Sequence, residues 1–301
     1  MPGAADALRF LDPRVVGELS GIDLVARLVV EGFLTGLHQS PYHGFSVEFA
    51  EHRQYMPGDP VRNVDWKIYA KSDRFYVKMF EEETNLRGYL LLDSSASMGY
   101  ASPGQITKLR YGSFLAAALA YLMINQQDSV GLLTFGEAVR TFIPPRAVKS
   151  HLKVLYAELE HLRPEAGTNT LKSLSDLADR IHRRGLIILI SDLMDDPRGV
   201  LRSLKHFRHR QHEVIVFHVL DPWEREFPFR EESGFVDMET GREVLTQPWE
   251  IAGDYRRRFR AWQDACARQC GENLIDYVPI DTGVPFDRSL LAYLEKRRRL
   301  G

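Results

Sequence analysis

Residues 86–99 read LRGYLLLDSSASMG, an apolar run that stops at Asp93 and passes into small hydroxyl residues. A strand with one wet face alternates apolar and polar side chains. A run without that alternation belongs to a strand covered on both sides. The pattern downstream repeats the theme. Residues 105–126, rich in Ala and Leu, read as a long helix, and DSVGLLTFG (128–136) reads as a second strand. AVRTFIPP (138–145) is predicted at a sheet edge, because its two prolines cannot donate to a central ladder. Helical patterns over 147–162 and 171–183 lead to GLIILISD (185–192), the most apolar strand of all. A basic helix near 198–210, the strand EVIVFHVLD (213–221), a helix near 249–271, the strand LIDYVPI (274–280) and a helix over 285–299 complete the pattern. Strands alternating with helices predict an α/β domain over 86–301 with a doubly wound, mostly parallel, Rossmann-type sheet. GFVDMETGREVLT is a hairpin insertion near 233–247 that turns at residues 239–241.

Upstream, residues 1–85 form an N-terminal helical and β extension expected to pack on this domain. Val15, Val16, Leu19, Leu24, Leu28, Val29 and Phe33 recur at helical spacing over 12–37, with a break near Gly21. FSVEF (45–49) and FYVKMF (75–80) read as strands around the turn PGDP (57–60).

Bulk properties narrow the function classes. A formal charge of −2 over 301 residues gives no field to attract nucleic acid or an anionic membrane. Two cysteines, Cys266 and Cys270, are too few for a disulfide framework and suit a reducing compartment. The opening MPGAADALRF lacks the basic and apolar regions of a signal peptide, and no run approaches the ~18 apolar residues of a membrane span. The expectation is a cytoplasmic protein without a transmembrane segment. The basic runs RRRFR (256–260) and KRRR (296–299) are expected to be solvated helix faces.

In doubly wound sheets, ligands sit at the carboxyl ends of the strands. Two strands here end in polar clusters, Asp93 with Ser95 and Ser97, and Asp192 followed by Asp195 and Asp196. Between them lies AGTNT (166–170), which can add Thr168. Asp93, Ser95 and Ser97 alternate along an extended loop, so three oxygens can converge on one point. Mg²⁺ favours such hard oxygen donors and retains several waters. Hydroxyls with only two carboxylates leave its shell incomplete, so the missing ligand would be a partner's Asp or Glu. Each piece alone has a plainer reading, because an Asp before Ser also makes an Asx turn or caps a helix.

The DxSxS pattern after a buried strand, the Gly-Thr loop and the Asp ending a later strand resemble the metal-ion-dependent adhesion site of von Willebrand factor A domains. That resemblance implies Asp93, Ser95, Ser97, Thr168 and Asp192 as the ligand set for Mg²⁺ (or Mn²⁺ or Ca²⁺), completed when a partner binds. It prefers Thr168 over Thr170, and gives Asp195 and Asp196 no role. RQYMPGDPVRNVDWKIYAK (53–71) resembles the signature of the bacterial family called domain of unknown function 58, with Arg53, Tyr55, Gly58, Asp59, Arg62 and Trp66 in its spacing. This implies a non-enzymatic adaptor working with a MoxR-type AAA+ ATPase in the assembly or activation of other proteins. Many members carry N-terminal transmembrane helices, from which this chain departs. Read physically, Arg53, Asp59, Arg62 and Asp65 suit an ion-pair lattice anchored by Tyr55 and Trp66. Arg, Tyr and Trp are equally the residues of a docking surface.

The strongest enzyme alternative is a Mg²⁺-dependent phosphatase resembling the haloacid dehalogenases, with Asp93 as nucleophile. That chemistry needs a carboxylic acid two positions on, and residue 95 is Ser, which cannot act as a general acid near neutral pH. No lysine is clearly placed between the Thr loop and Asp192 to offset phosphate charge. Neither GxxxxGK[ST] nor GxGxxG occurs to bind a nucleotide. Cys266 and Cys270 read as a buried structural pair, and His206, His209 and His212 as part of a basic helix end.

Overall fold

The parallel sheet follows from runs of β-branched and leucine residues too apolar to leave a face in water. A computed structural model of the chain describes residues 12–19, 21–39, 52–54, 69, 75–78, 86–165, 170–181, 183–194 and 197–300. Helix α1 (Pro13–Gly17) starts from Asp12, whose side chain accepts the Arg14 amide at 2.9 Å. Gly21 sits at φ 88°, a conformation other residues resist, and separates α1 from α2 (Ile22–Gln39). The break expected near Gly21 is therefore real. Strands β1 (His52–Gln54) and β2 (Tyr76–Lys78) pair antiparallel. FSVEF and the 55–68 segment lie outside the described residues.

The main sheet then begins with β3 (Arg87–Asp93), a short 3₁₀ turn (Ala96–Gly99) and α3 (Lys108–Asn125). Next come β4 (Ser129–Phe135), β5 (Val139–Arg146), α4 (His151–His161), α5 (Thr170–Arg180) and β6 (Leu186–Ser191). The chain continues with α6 (Pro197–His209), β7 (Glu213–Leu220) and α7 (Pro222–Glu226). The hairpin β8 (Ser233–Val236) and β9 (Glu243–Thr246), then α8 (Pro248–Glu272), β10 (Asp276–Asp281) and α9 (Asp287–Leu300), complete it. The six strands lie in the order β10-β7-β6-β3-β4-β5. All neighbours are parallel except β5, which runs antiparallel to β4 at the edge and carries Pro144 and Pro145. This is the doubly wound, mostly parallel α/β sheet expected from the pattern.

Each face of the sheet has its own core, because successive strand residues point to opposite sides. Leu90 and Leu92 join Val130, Leu132, Ile188, Ile190 and Phe217 on one face, under α3, α4 and α9. Tyr89 and Leu91 join Leu133, Ile187, Leu189 and Val216 on the other, under α5 and α6. Helix α3 is apolar nearly all round, since the sheet covers one side and α2 packs on it through Val25, Val29 and Phe33. The N-terminal helices thus share the core of the main sheet. Cys266 and Cys270 are buried and unpaired, with Cys270 in the second core, in line with a structural pair.

Two charge expectations need correction. The KRRR run is not a solvated face: Lys296 is buried between Glu213 (2.7 Å) and Asp276 (3.0 Å), and Arg297 bonds the buried Asp128 at 2.7 Å. The terminal helix is clamped to the sheet by these pairs, which a reading of net charge cannot foresee. Arg257 and Arg258 of the other run are exposed and pair with Asp254, one turn before them. His212 is likewise buried, its ring edge-on to Tyr89 and Phe207, while His206 stays at the surface near Asp179.

Strand approach fixes one glycine. A Cβ on Gly185 would stand 2.3 Å from the Arg87 carbonyl oxygen, backbone against backbone, where β6 enters beside β3. Gly185→Ala should therefore destabilise the protein by about 2 kcal/mol in urea unfolding. An unchanged midpoint would show that the two strands can part there at no cost.

Candidate metal site at the strand switch point

Strand order reverses at β3: α3 leads on to β4 on one side, while β6 lies on the other. The crevice at such a reversal is where doubly wound sheets bind ligands. Here the carboxyl ends of β3 and β6 bring together Asp93, Ser95, Ser97, Ser191 and Asp192. Asp93 Oδ1 accepts the Ser95 amide at 2.9 Å, and the Ser191 hydroxyl donates to Asp93 Oδ2 at 2.7 Å. Ser95 Oγ and Ser97 Oγ lie 3.2 Å apart. The Asx-turn alternative is thus partly real at Asp93, and again at Asp192, whose Oδ1 accepts the Met194 amide at 3.2 Å. A helix-cap role is not: Ser95 precedes the 3₁₀ turn and its side chain makes no capping bond.

Burial at this crevice is deeper than a loop reading implies. Asp93, Ser95 and Asp192 are each at most 2% exposed, so the extended loop after β3 is buried as far as Ser95. The reason is that residues 94 and 95 still behave as sheet. Ser94 N bonds the Phe135 carbonyl at 2.7 Å, the Glu165 amide bonds the Ser94 carbonyl at 3.0 Å, and Ser95 bridges to Glu165. Only Ser97 is half-buried. Leu193, directly after Asp192, sits at φ 53°, a left-handed conformation costing a non-glycine residue about 1 kcal/mol. Its amide is held by Ser191 Oγ at 3.0 Å. Such strain persists where surrounding structure enforces it, commonly at functional sites.

Charge distinguishes the two carboxylates. Burial, then the neighbouring Asp192 carboxylate, push the Asp93 carboxyl up to about 7, against the hydrogen bonds from Ser191 and Ser95. Burial would raise Asp192 too, but the Lys108 ammonium overrides it and holds that carboxyl below its ordinary value. Lys108 is fully buried at the start of α3 and bonds Asp192 Oδ2 at 2.7 Å and Glu224 Oε1 at 2.5 Å. A cation at a helix N-terminus opposes the helix dipole, so only these acids can hold it there. Glu224 also closes the capping box of α7, accepting the Asp221 amide at 3.0 Å. Burial pulls the His218 imidazole down to about 4, leaving it neutral. Its Nε2 donates to the Asp192 carbonyl at 2.8 Å and its Nδ1 accepts from the Tyr277 hydroxyl.

Lys108 is shared between Asp192 and Glu224, while Asp93 faces the Asp192 carboxylate with no cation beside it among the described residues. The donor set fits a hard ion: carboxylate and hydroxyl oxygens, with no thiol or imidazole nitrogen turned toward it. Among the described residues no three His, Cys, Asp or Glu side chains cluster as a metal cage. Any ion at Asp93 therefore depends on the serine hydroxyls. Thr168, Asp195 and Asp196 lie outside the described residues, as do Tyr55, Asp59, Arg62 and Trp66. Arg53 lies on β1, paired with Val77.

Sequence reading missed Lys108, Ser191, Glu224 and His218. Lys108 lies ahead of the Thr loop, and its one visible signal is a charge beside the capping Thr107 at the head of an otherwise apolar helix. It gives the phosphatase reading no help, because both of its neighbours are carboxylates and it is sealed from solvent. Glu239, on the β8–β9 turn, reads in the sequence only as a turn residue. Its Oε1 accepts the Ser97 amide at 2.9 Å across 142 positions of sequence.

The chain is thus an α/β domain with a six-stranded, mostly parallel sheet and a carboxylate and hydroxyl cluster at its switch point. The chain belongs to the family described as protein of unknown function DUF58, whose model matches residues 51–267. Uncharacterized proteins of Mycobacterium bovis and Mycobacterium tuberculosis are 27% identical over 297 residues, covering 96% of this chain and 91% of theirs. Solved structures with similar folds include BatB from Bacteroides thetaiotaomicron, at 19% identity and a TM-score of 0.49, over 71% of this chain and 99% of that one. The von Willebrand factor A domain of SpRpn10 matches at 14% identity and a TM-score of 0.37, over 70% of this chain and 95% of that one. No helix among the described residues is long and apolar enough to cross a membrane.

Proposed function

We propose that this protein is a non-enzymatic, cytoplasmic adaptor. Its switch-point crevice holds a divalent cation, Mg²⁺ or else Mn²⁺ or Ca²⁺, and through it an Asp or Glu of a client protein. The observation that carries the reading is the pair of hydroxyls, Ser95 and Ser97, 3.2 Å apart between two buried carboxylates. Asp93, Ser95 and Ser97 would hold the ion directly, with Thr168 as the further ligand the resemblance implies. Asp192, with one oxygen committed to Lys108, is better placed to orient an ion-bound water than to bond the ion. The ion would supply a positive centre for a partner's carboxylate. The chain's own groups fix that centre: Ser191 orients Asp93, His218 holds the Asp192 backbone, and Lys108 sets its charge.

The position two residues beyond Asp93 carries no acid, so the site lacks the proton donor that a phosphoryl-transfer enzyme needs. Membership of the family supports a MoxR-type AAA+ ATPase as the working partner, with residues 53–66 (Arg53, Tyr55, Asp59, Arg62, Trp66) as its docking segment. Nucleic acid has no evident place in this reading.

Ser95→Ala combined with Ser97→Ala is the direct test. The double variant should remain folded, losing about 1–2 kcal/mol for two small hydroxyls, and its Mn²⁺ affinity in calorimetry should drop at least ~10-fold. Parent-like Mn²⁺ binding would place the ion elsewhere. Recovery of the ATPase and of client proteins on the immobilised full chain should likewise be compared with and without EDTA. Capture of a client that ignores EDTA would transfer recognition to the 53–66 segment.

A further inference from the structure

The β8–β9 hairpin is seated on the body through Phe235, which stacks on Phe227 and meets Phe229 edge-on, and turns its other face to solvent. Val236, Val244 and Leu245 are 58%, 61% and 75% exposed, unusual for apolar strand residues. Its turn is fixed from within: Asp237 accepts the Glu239 amide (2.9 Å) and the Thr240 hydroxyl (2.8 Å). The Gly241 amide then closes on the Asp237 carbonyl at 2.8 Å, with Gly241 at φ 70°. A rigid tip is therefore carried on an exposed two-stranded arm of the kind that is marginal alone. That tip lies on the crevice loop. Glu239 bonds the Ser97 amide, and the Met238 side chain reaches the flank of Gly99, 3.6 Å from where a Cβ would lie.

We infer that Glu239 is an internal stand-in for the partner's acid: it supplies the carboxylate that completes the shell of the bound cation, and a client's Asp or Glu displaces it. This rests on the metal reading above and adds its regulation. The geometry suits the role. The carboxylate reaches the backbone of Ser97, one of the two hydroxyl ligands, from outside the cluster. The rest of the cluster comes from the ends of β3 and β6, the 3₁₀ turn, α3 and α7. The bond from the Ser97 amide to the Glu239 carboxylate is charge-assisted, so a partner's acid has to outcompete it. The tip can leave Ser97 while Phe235 keeps the arm seated on Phe227 and Phe229. A client engaging the ion would then also meet the freed apolar residues of the hairpin.

The test uses Mn²⁺ alone and Mn²⁺ with acetate on the full chain, in the parent, Glu239→Ala and Glu239→Gln. Mn²⁺ affinity is read by calorimetry and folding by circular dichroism. The expected result is a roughly tenfold weaker Mn²⁺ affinity for both variants, restored by acetate, while the parent does not respond to acetate. Glu239→Gln separates the two roles, since its amide oxygen can still accept the Ser97 bond but offers no charge. If the parent binds Mn²⁺ at the Ser95/Ser97 site and both variants match it, with no acetate effect, the hairpin role is overturned and the metal reading stands. If the parent binds no Mn²⁺, both fall together.

Discussion

Asp93→Asn should make the metal-free protein more stable above pH 7 and at the same time abolish its response to Mg²⁺. The sign follows from the carboxyl lying at about 7 in the fold against 3.8 unfolded. A raised carboxyl favours the folded state only while it is protonated, so this contribution is present at low pH. It is lost as pH rises from about 4 to about 7. Above that window an ionised Asp93 beside Asp192 costs up to about 4 kcal/mol, at about 1.4 kcal/mol per pH unit. Asparagine keeps the bond from the Ser95 amide and removes the charge. Urea unfolding in EDTA from pH 5 to 8 should show the parent losing stability and Asp93→Asn staying flat. Adding Mg²⁺ at about 100 times its dissociation constant should then stabilise the parent by about 2.7 kcal/mol and leave the variant unmoved. A parent with no slope across that range, or a variant that still gains from Mg²⁺, would separate Asp93 from the ion.

Lys108→Met should be the most damaging single change in the crevice. Lys108 is buried between Asp192 and Glu224, and removing it strands two acids in a place water does not reach. Breaking a buried ion pair from one side costs about 3–5 kcal/mol, much more than the pair contributes. The same change adds negative charge at the crevice, so Mn²⁺ should bind more tightly and recover part of the loss. Lys108→Met with Asp192→Asn should restore about 2 kcal/mol relative to Lys108→Met, the coupling expected of residues in one network. Additive effects in that cycle would mean that Lys108 serves packing alone.

The sheet was legible because its signal is long. LLLD, GLIILISD and EVIVFHVLD are apolar without alternation, and only a strand covered on both faces tolerates that. The prolines of β5 marked its edge for the same kind of local reason. The candidate site was legible where its residues adjoin those strands, as Asp93, Ser95, Ser97 and Asp192 do. It was illegible where it depends on distance. Nothing local to Lys108 shows that α3 starts beneath Asp192, and nothing near Glu239 shows that its turn lands on Ser97. The burial of Ser95 escaped for a related reason: the ladder continues two residues past the point where apolar character ends. The N-terminal signature at 53–66 speaks to family membership, and its side chains lie outside the described residues.

A divalent cation on Asp93, Ser95 and Ser97 can be seen directly in a crystal of the full chain soaked in Mn²⁺, with anomalous scattering measured at the manganese edge. The expected result is a single strong peak about 2.1 Å from an Asp93 oxygen and from both serine hydroxyls. Saturating Mn²⁺ that leaves this crevice without a peak, or puts the ion on other residues, would contradict it.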